Sequence, residues 1–343
     1  MTRARRAGRL ATAAAYGGGG VGVVAAGGWG LLRLQAKIAR GLIGEPTEEP
    51  PVTDGIYGWG SGEPLPLAVL GDSSAAGLGA GSAAATPPAL FATGVSRASG
   101  RPVVVTTVAW IGAKSSDLDD QVTRALRAAP EAAVIMIGAN DVTHRVGVPD
   151  AVRDLGAAVT RLRSYGCEVV VATCPDLGTI EPILPPLRWV ARQKSRQLAA
   201  VQTIAVVEAG GRSVSLGDLL GPEFAARPSE MFSPDRFHPS EHGYASAGAA
   251  ILPSLLAALG LVESDEPEAF RGDGVLPVAR AAVEAAETAG TEVSGTELGG
   301  ADRGPRGRWA LLRHRRRAPA GPADLPRTAD VSTVGEPGNG MEP

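Results

Sequence analysis

Five short apolar runs recur along the middle of the chain and form the clearest pattern in its sequence. They are Leu67–Leu70, Val103–Val108, Ala133–Ile137, Val169–Thr173 and Ile204–Val207. Most are rich in β-branched residues and lack a polar face, which is typical of strands buried on both sides of a parallel sheet. The pattern therefore predicts a parallel sheet of about five strands.

Longer stretches with helix-like patterning separate these runs and follow the last of them. They are Pro88–Ala98, Ser116–Ala128, Val152–Ser164, Leu187–Gln202 and Ser240–Leu259. Such alternation predicts an α/β fold, a three-layer α/β/α sandwich in which helices cover both faces of the sheet. Ligands of these sheets bind beyond the carboxyl ends of the strands, so the residues that follow each strand are the first candidates for a functional site.

The composition divides the chain into four parts. Residues 1–44 form a basic and apolar segment, residues 45–63 a linker rich in proline and acidic residues, and residues 64–260 the folded domain. In residues 261–343 the apolar positions are sparse and unpatterned. A segment of this kind buries too little apolar surface to offset the entropy of ordering. We therefore expect a mostly disordered tail, with one short helix over Pro277–Glu287.

The N-terminal segment contains an uncharged stretch of 23 residues, Leu10–Leu32, with basic residues on both sides. A helix of this length can cross the ~30 Å hydrocarbon core of a bilayer, which predicts a single-pass membrane anchor. A cleaved signal peptide and a soluble glycine-rich arm are the alternatives, because the stretch is only marginally hydrophobic. We expect a membrane-anchored or exported protein whose folded domain lies outside the cytoplasm.

Charge and cysteine content exclude two classes of protein. The formal net charge of −3 and the isoelectric point near 5.9 argue against a nucleic-acid-binding protein. Two cysteines are too few for a disulfide framework. Cys167 and Cys174 stand at opposite ends of one predicted strand, too far apart to pair with each other.

Polar and glycine-containing segments follow the first three predicted strands. Gly71–Gly77 follows the first strand, Trp110–Lys114 the second and Gly138–Asp141 the third, while Asp235–Pro239 precedes the last predicted helix. Taken singly, each segment is more typical of a helix cap or a turn than of a catalytic site. Their order and their placement at strand ends together predict a hydrolase site.

The residue types in these segments are those that a serine hydrolase needs. The hydroxyl of Ser73 becomes a nucleophile only when a base removes its proton, and His238 is the candidate base because imidazole titrates near neutral pH. Asp235 can fix the tautomer of His238 and stabilise its protonated form. The backbone amides of Ser73 and Gly112 and the side-chain amide of Asn140 are candidate donors to an oxyanion.

Over about Pro66–Leu259 the chain resembles the SGNH, or GDSL-type, hydrolase superfamily. The first block reads GDSS rather than GDSL, which leaves the nucleophile in place, while the blocks GAND and DRFHP match well. The resemblance implies a flavodoxin-like sheet, no metal or other cofactor, and hydrolysis of carboxylic esters, thioesters or carbohydrate O-acetyl groups. The four signature residues would be Ser73, Gly112, Asn140 and His238.

These observations predict a serine esterase that hydrolyses short-chain acyl or acetyl esters of small molecules, lipids or carbohydrates through an acyl-enzyme intermediate. The loops after the first three strands are short and leave little chain to enclose a long acyl group. Only Ile180–Trp189 is apolar and long enough to form a wall, either as a lid or by packing on the next helix. An acyltransferase with the same site and a catalytically silent binding module are the alternatives.

Overall fold

The computed structural model describes residues 27–43, 49–216, 224, 226–262, 274–288, 290–296 and 309–314. These residues form one mixed sheet with helices on both faces. Its strands are β1 (Gly55–Tyr57), β2 (Leu65–Gly71), β3 (Val103–Thr107), β4 (Ala132–Met136), β5 (Glu168–Ala172), β6 (Arg212–Val214), β7 (Gly274–Pro277), β8 (Thr291–Gly295) and β9 (Trp309–His314).

The α-helices of the described residues connect or follow these strands. They are α1 (27–43), α2 (Ser73–Ala76), α3 (Pro87–Ser99), α4 (Leu118–Ala125), α5 (Ala139–Thr143), α6 (Val148–Ser164), α7 (Leu187–Glu208), α8 (Pro228–Met231), α9 (Glu241–Ala258) and α10 (Val278–Glu287).

The strand order in the sheet is β1-β3-β2-β4-β5-β6-β8-β9-β7. The five strands from β3 to β6 are parallel, while β1 at one edge and β8, β9 and β7 at the other pair antiparallel. Counted along the chain, the parallel strands lie in the order 2-1-3-4-5, which is flavodoxin-like. The predicted α/β fold is confirmed, and its ligand-binding crevice is expected where the order reverses, beside the carboxyl ends of β2 and β4.

Two hydrophobic cores lie on opposite faces of the sheet. Leu67 and Val69 of β2 pack with α3 and α9, whereas Ala68 and Leu70 of the same strand pack with α4, α6 and α7. Successive side chains of a strand point to opposite faces, so a strand covered on both faces is apolar at every position. Burying one such Leu or Val side chain contributes about 1.5–3 kcal/mol, which explains why these runs dominate the sequence pattern.

The strand predicted at Ile204–Val207 is wrong, because these residues form the last turn of α7. The buried positions of α7 include Leu198, Gln202 and Val206, a helical repeat that continues through the apolar run. The fifth parallel strand is instead β6, which is only three residues long. A short apolar run fits a strand and a buried helix turn equally well, so local sequence alone favoured the wrong element.

Of the region beyond residue 261, where a mostly disordered tail was expected, the structure describes residues 274–288, 290–296 and 309–314 as folded. The helix expected at Pro277–Glu287 is present as α10, and β8, β9 and β7 extend the sheet beyond β6. Ala281 and Ala285 of α10 are fully or almost fully buried in a core that also holds Val207 and Val293. The short alanine side chains of α10 make its buried face look weakly apolar in the sequence.

The N-terminal helix α1 lies beside the segment that leads into α7. The side-chain amide of Gln35 donates to the carbonyl oxygen of Pro185, and its oxygen accepts from the amide of Leu187. Among the described residues no helix combines the length and the apolar content that crossing a membrane requires. The part of α1 that follows residue 32 carries three basic residues within eight positions.

The membrane-spanning anchor expected at Leu10–Leu32 is therefore wrong for residues 27–32, the part of it that the structure describes. Residues 10–26 lie outside the described residues. The described residues do not support a single-pass anchor. In the expected linker, residues 55–57 form β1, which pairs with β3 at the edge of the sheet.

Candidate active site

Ser73 lies at the carboxyl end of β2, where the strand passes into α2. The carboxylate of Asp72 caps this helix by accepting a hydrogen bond of 2.9 Å from the amide of Ser74. Gly71 has a φ of 134°, and a Cβ atom at this position would lie 1.9 Å from the carbonyl oxygen of Met136. Only glycine allows β2 to approach β4 so closely, and this approach places Ser73 at the start of the helix.

A chain of two hydrogen bonds links Ser73 to His238 and Asp235. Oγ of Ser73 lies 3.0 Å from Nε2 of His238, and Nδ1 of His238 lies 2.6 Å from Oδ2 of Asp235. An ionised carboxylate only accepts hydrogen bonds, so Nδ1 of His238 carries the proton. Nε2 is then the acceptor that faces the serine hydroxyl. The structure brings these three sequence-predicted residues together across 165 positions of the chain.

The turn before α9 holds the carboxylate of Asp235 in place. Its Oδ1 accepts hydrogen bonds from the amides of Phe237 and His238 and from the hydroxyl of Ser233, at 2.8, 2.9 and 2.7 Å. Burial raises the pKa of Asp235, but the hydrogen bonds from His238, Ser233 and the two amides outweigh burial and lower it. Asp235 is therefore ionised at neutral pH and can stabilise a positive charge on His238.

The three candidate oxyanion donors come from three different strand ends. The amide of Ser73 is the first of α2 and so has no intrahelical acceptor. Gly112, in the turn after β3, is exposed and has a φ of 81°, so its backbone is open to a ligand. Asn140, in α5, donates one side-chain N–H to the carbonyl oxygen of Ala113 at 3.0 Å and keeps a second N–H for another acceptor.

Hydrogen bonds fix the loop of Gly112 against helix α5. Besides the bond from Asn140, the buried carboxylate of Asp141 accepts from the amide of Ser115 at 3.1 Å and from its hydroxyl at 2.7 Å. Burial raises the pKa of Asp141, and the bonds from Ser115 oppose this shift. These contacts fix the position of Gly112 relative to Asn140, two of the candidate oxyanion donors.

Two buried glutamines at the same strand ends were missed by the sequence analysis. Gln121 contacts the backbone of Gly71, and Gln202 contacts the backbone of Ile137 and Cys174. Both glutamines have no exposed surface. The signal that would have revealed them is a polar residue on the apolar face of a predicted helix.

A small cavity lies directly behind the candidate catalytic residues. Its volume is about 60 Å³. Thr173, at the end of β5, lines the cavity, and its buried hydroxyl has no hydrogen-bond partner among the described residues. Ile180 also lines the cavity, whereas Trp189 lies in α7 with 67% of its surface exposed, so Ile180–Trp189 is not a single lid. The other lining residues include Asp72, Met136, Ala139, Ala172, Leu177, Leu216, Phe237 and Ala247.

The chain is similar in sequence to known proteins. The sequence model of the GDSL-like Lipase/Acylhydrolase family matches residues 69–246. The chain is 41% identical to the GDSL-like esterase Rv1075c of Mycobacterium tuberculosis over 262 residues, which cover 73% of this chain and 83% of that protein.

Solved structures of lower identity also match. An acetylxylan esterase from Geobacillus stearothermophilus is 20% identical with a TM-score of 0.45, over 60% of this chain and 98% of that one. TesA is 19% identical with a TM-score of 0.43, over 58% of this chain and 100% of that one. By the family match and the 41% identity, the chain belongs to the GDSL-like lipase/acylhydrolase family and is an ester hydrolase.

Proposed function

We propose that this protein is a serine esterase that hydrolyses short-chain acyl or acetyl esters through an acyl-enzyme intermediate. The observation that carries the proposal is the hydrogen-bonded chain from Ser73 through His238 to Asp235. In this chain Ser73 is the nucleophile, His238 the general base and Asp235 the residue that orients the imidazole.

The first half of the reaction acylates the serine. Oγ of Ser73 attacks the ester carbonyl carbon while its proton passes to Nε2 of His238. The carbonyl oxygen becomes an oxyanion, which accepts hydrogen bonds from the amides of Ser73 and Gly112 and from the side chain of Asn140. The bond between the carbonyl carbon and the alcohol oxygen then breaks, and His238 gives its proton to the departing alcohol.

The second half releases the acid. A water molecule gives a proton to Nε2 of His238 and attacks the carbonyl carbon of the acyl-enzyme. The same three donors hold the second oxyanion, and the bond to Oγ of Ser73 breaks as the serine regains a proton from His238. Throughout, the ionised Asp235 stabilises the positive charge that His238 carries in each transition state.

The cavity behind the site supports a preference for short acyl groups. At about 60 Å³ it has room for a few carbon atoms only, and its wall is mostly apolar. Each methylene buried there contributes ~0.8 kcal/mol, so kcat/KM rises with chain length until the cavity is full.

The proposed nucleophile is tested by substitution and by labelling. Ser73→Ala should lower kcat for p-nitrophenyl acetate by about 10⁶-fold and abolish labelling by a fluorophosphonate, because no other hydroxyl faces Nε2 of His238 among the described residues. Ser164→Ala, at the exposed end of α6, is the matched control and should retain full activity. Retention of a few per cent of activity in Ser73→Ala would refute the assignment.

The acyl preference is tested with p-nitrophenyl esters from acetate to palmitate, assayed below the micelle threshold. We expect the maximum of kcat/KM at about two to six carbons, where the gain per methylene stops. A maximum at ten or more carbons would refute the short-chain preference. Release of free carboxylic acid in the presence of an alcohol acceptor separates hydrolysis from acyl transfer.

A further inference from the structure

Gln121 of α4 is bound at the strand that leads to the nucleophile. Its Oε1 accepts a hydrogen bond of 2.7 Å from the amide of Gly71, and its Nε2 donates one of 2.8 Å to the carbonyl oxygen of Gly71. The side chain therefore binds both backbone polar groups of one residue. Gly71 stands two positions before Ser73.

The position of this contact follows from the end of the neighbouring strand. The pairing of β2 with β3 ends at Val69 and Thr107, so Gly71 lies beyond the ladder on that side. There its carbonyl oxygen also accepts from the amide of Trp110, at 3.3 Å. The side-chain amide of Gln121 thus binds the backbone of Gly71 just beyond the last residue pair of the ladder.

Gln202 of α7 makes an equivalent contact between β4 and β5. The pairing of these strands ends at Met136 and Ala172. Just beyond this pair, Oε1 of Gln202 accepts from the amide of Cys174 at 2.8 Å, and its Nε2 donates to the carbonyl oxygen of Ile137 at 3.2 Å. Gln202 therefore joins the two strand ends immediately before α5, which carries Asn140.

The surroundings of both glutamines are those of an apolar core. Gln121 lies on the helix face that also presents Leu118 and Val122, and Gln202 lies between Leu198 and Val206 on α7. An unsatisfied amide in such a place is strongly destabilising, and an apolar side chain would fill the space without that risk. Only the backbone contacts at the two strand ends account for an amide at each position.

We infer that Gln121 and Gln202 are positioning residues of the active site. Gln121 fixes the end of β2 and thereby the position of Ser73, while Gln202 fixes the ends of β4 and β5 and thereby the position of Asn140. Neither side chain touches the substrate. The inference rests on the proposed function, because it assigns the two residues a role in the same ester hydrolysis.

Gln121→Met and Gln202→Met test the inference, since methionine has a similar length and shape but no amide. Each variant should lower kcat by about tenfold or more and change KM by less than about twofold, because a misplaced reacting group is costly mainly in the transition state. Should Gln121→Met not fold, Gln121→Leu is the second variant. Unchanged kcat in folded variants would overturn the inference.

Thr203→Val is the matched control because Thr203 is the neighbour of Gln202 on α7. Its buried hydroxyl hydrogen-bonds Ser213 of β6 at 3.0 Å, and we assign no catalytic role to β6. The control should lower the melting temperature much as the glutamine variants do while kcat stays unchanged. An equal loss of kcat in Thr203→Val would mean that any buried polar deletion has this effect, and would overturn the positioning role.

Double-mutant cycles show through which residue each glutamine acts. In an Asn140→Ala background, Gln202→Met should cost little further activity, whereas Gln121→Met should keep its full effect. Full additivity of Gln202→Met and Asn140→Ala would overturn the link between these two residues.

Hydrogen exchange of the wild-type protein tests the structural part of the inference, the binding of the strand ends, without any assay of activity. The amides of Gly71 and Cys174, which donate to the glutamines, should exchange as slowly as the amides within β2 and β5. Fast exchange at these two amides would overturn the inference. A wild-type protein without esterase activity would refute the proposed function, while slow exchange would still establish that the two glutamines hold the strand ends.

Discussion

The carboxyl ends of the parallel strands and the antiparallel edge of the sheet use buried polar groups in different ways. Beyond β2 and β4, buried carboxylates bind the segments that carry the candidate site: Asp72 accepts from the amide of Ser74, and Asp141 accepts from Ser115. At the other edge, Glu292 of β8 is fully buried and pairs with Arg212 of β6 at 2.7 Å, and it accepts from Ser254 of α9 at 2.8 Å. The polar groups beyond β2 and β4 position the candidate site, whereas those at the antiparallel edge join the added strands to the parallel part of the sheet.

The alignment of the candidate site and the stability of the fold therefore depend on different parts of the molecule. The antiparallel strands and α10 have their own core, which includes Ala281, Ala285 and Val293. They contact the parallel sheet through β6, α7 and α9, and we assign no residue of that edge to the site. Changes at the strand ends should therefore act mainly on kcat, and changes at the edge mainly on the free energy of unfolding.

Apart from loss of the nucleophile, Asp235→Asn should have the largest effect on kcat. An asparagine favours the wrong tautomer of His238, so kcat should fall by about 10⁴-fold. The measurement is kcat for p-nitrophenyl acetate beside urea unfolding. Near-normal activity would show that a group other than Asp235 orients His238.

Asn140→Ala should lower kcat by about 10²–10³-fold, because an oxyanion donor acts mainly in the transition state. KM should change far less, and steady-state kinetics separate the two parameters. Thr143→Ala, at the exposed end of α5, is a control from the same helix. A change confined to KM would contradict the role proposed for the Asn140 side chain.

Glu292→Leu tests the role of the antiparallel edge of the sheet. It removes the buried partner of Arg212 and Ser254, so the free energy of unfolding should fall by about 3 kcal/mol while kcat stays unchanged. Glu287→Leu, at the exposed end of α10, is the matched control and should change stability by less than about 0.5 kcal/mol. A selective loss of kcat in Glu292→Leu would mean that the edge takes part in catalysis.

The smallest effect concerns the pH dependence of stability at Asp72. Burial raises the pKa of this carboxyl from 3.8 to about 6, so the folded protein keeps a proton that the unfolded chain has already lost above pH 4. Stability therefore decreases as the pH rises from about 4 to 6, by about 2–3 kcal/mol in total. Asp72→Asn, which cannot ionise and can still cap α2, should gain that amount relative to wild type between pH 4 and pH 7.

Urea unfolding at the two pH values measures this gain. Asp119→Asn is the control, because it removes a carboxylate that is exposed at the surface. An equal difference at pH 4 and pH 7 for Asp72→Asn would contradict the raised pKa of the buried carboxyl.

Much of the fold and of the candidate site was predictable because the relevant signals are local. Apolar runs such as Val169–Thr173 report burial on both faces of a strand, and β5 begins and ends within one residue of that run. The three residues Ser73, Asn140 and His238 could be selected because each follows a strand or precedes a helix in a short polar segment. Ser73 and Asn140 each follow a strand of the predicted parallel sheet, so both were expected at the edge where the carboxyl ends of the strands meet.

The sequence predicted the alternation of strands and helices, the central parallel strands and the residues of the candidate site, since these depend on neighbours along the chain. The three-dimensional packing was needed to show that Ile204–Val207 continues a helix, that α10 buries alanines against α7, and that Gln121 and Gln202 bind strand ends. The partners of these residues are distant in sequence, and an apolar or polar side chain does not specify which distant backbone it will contact.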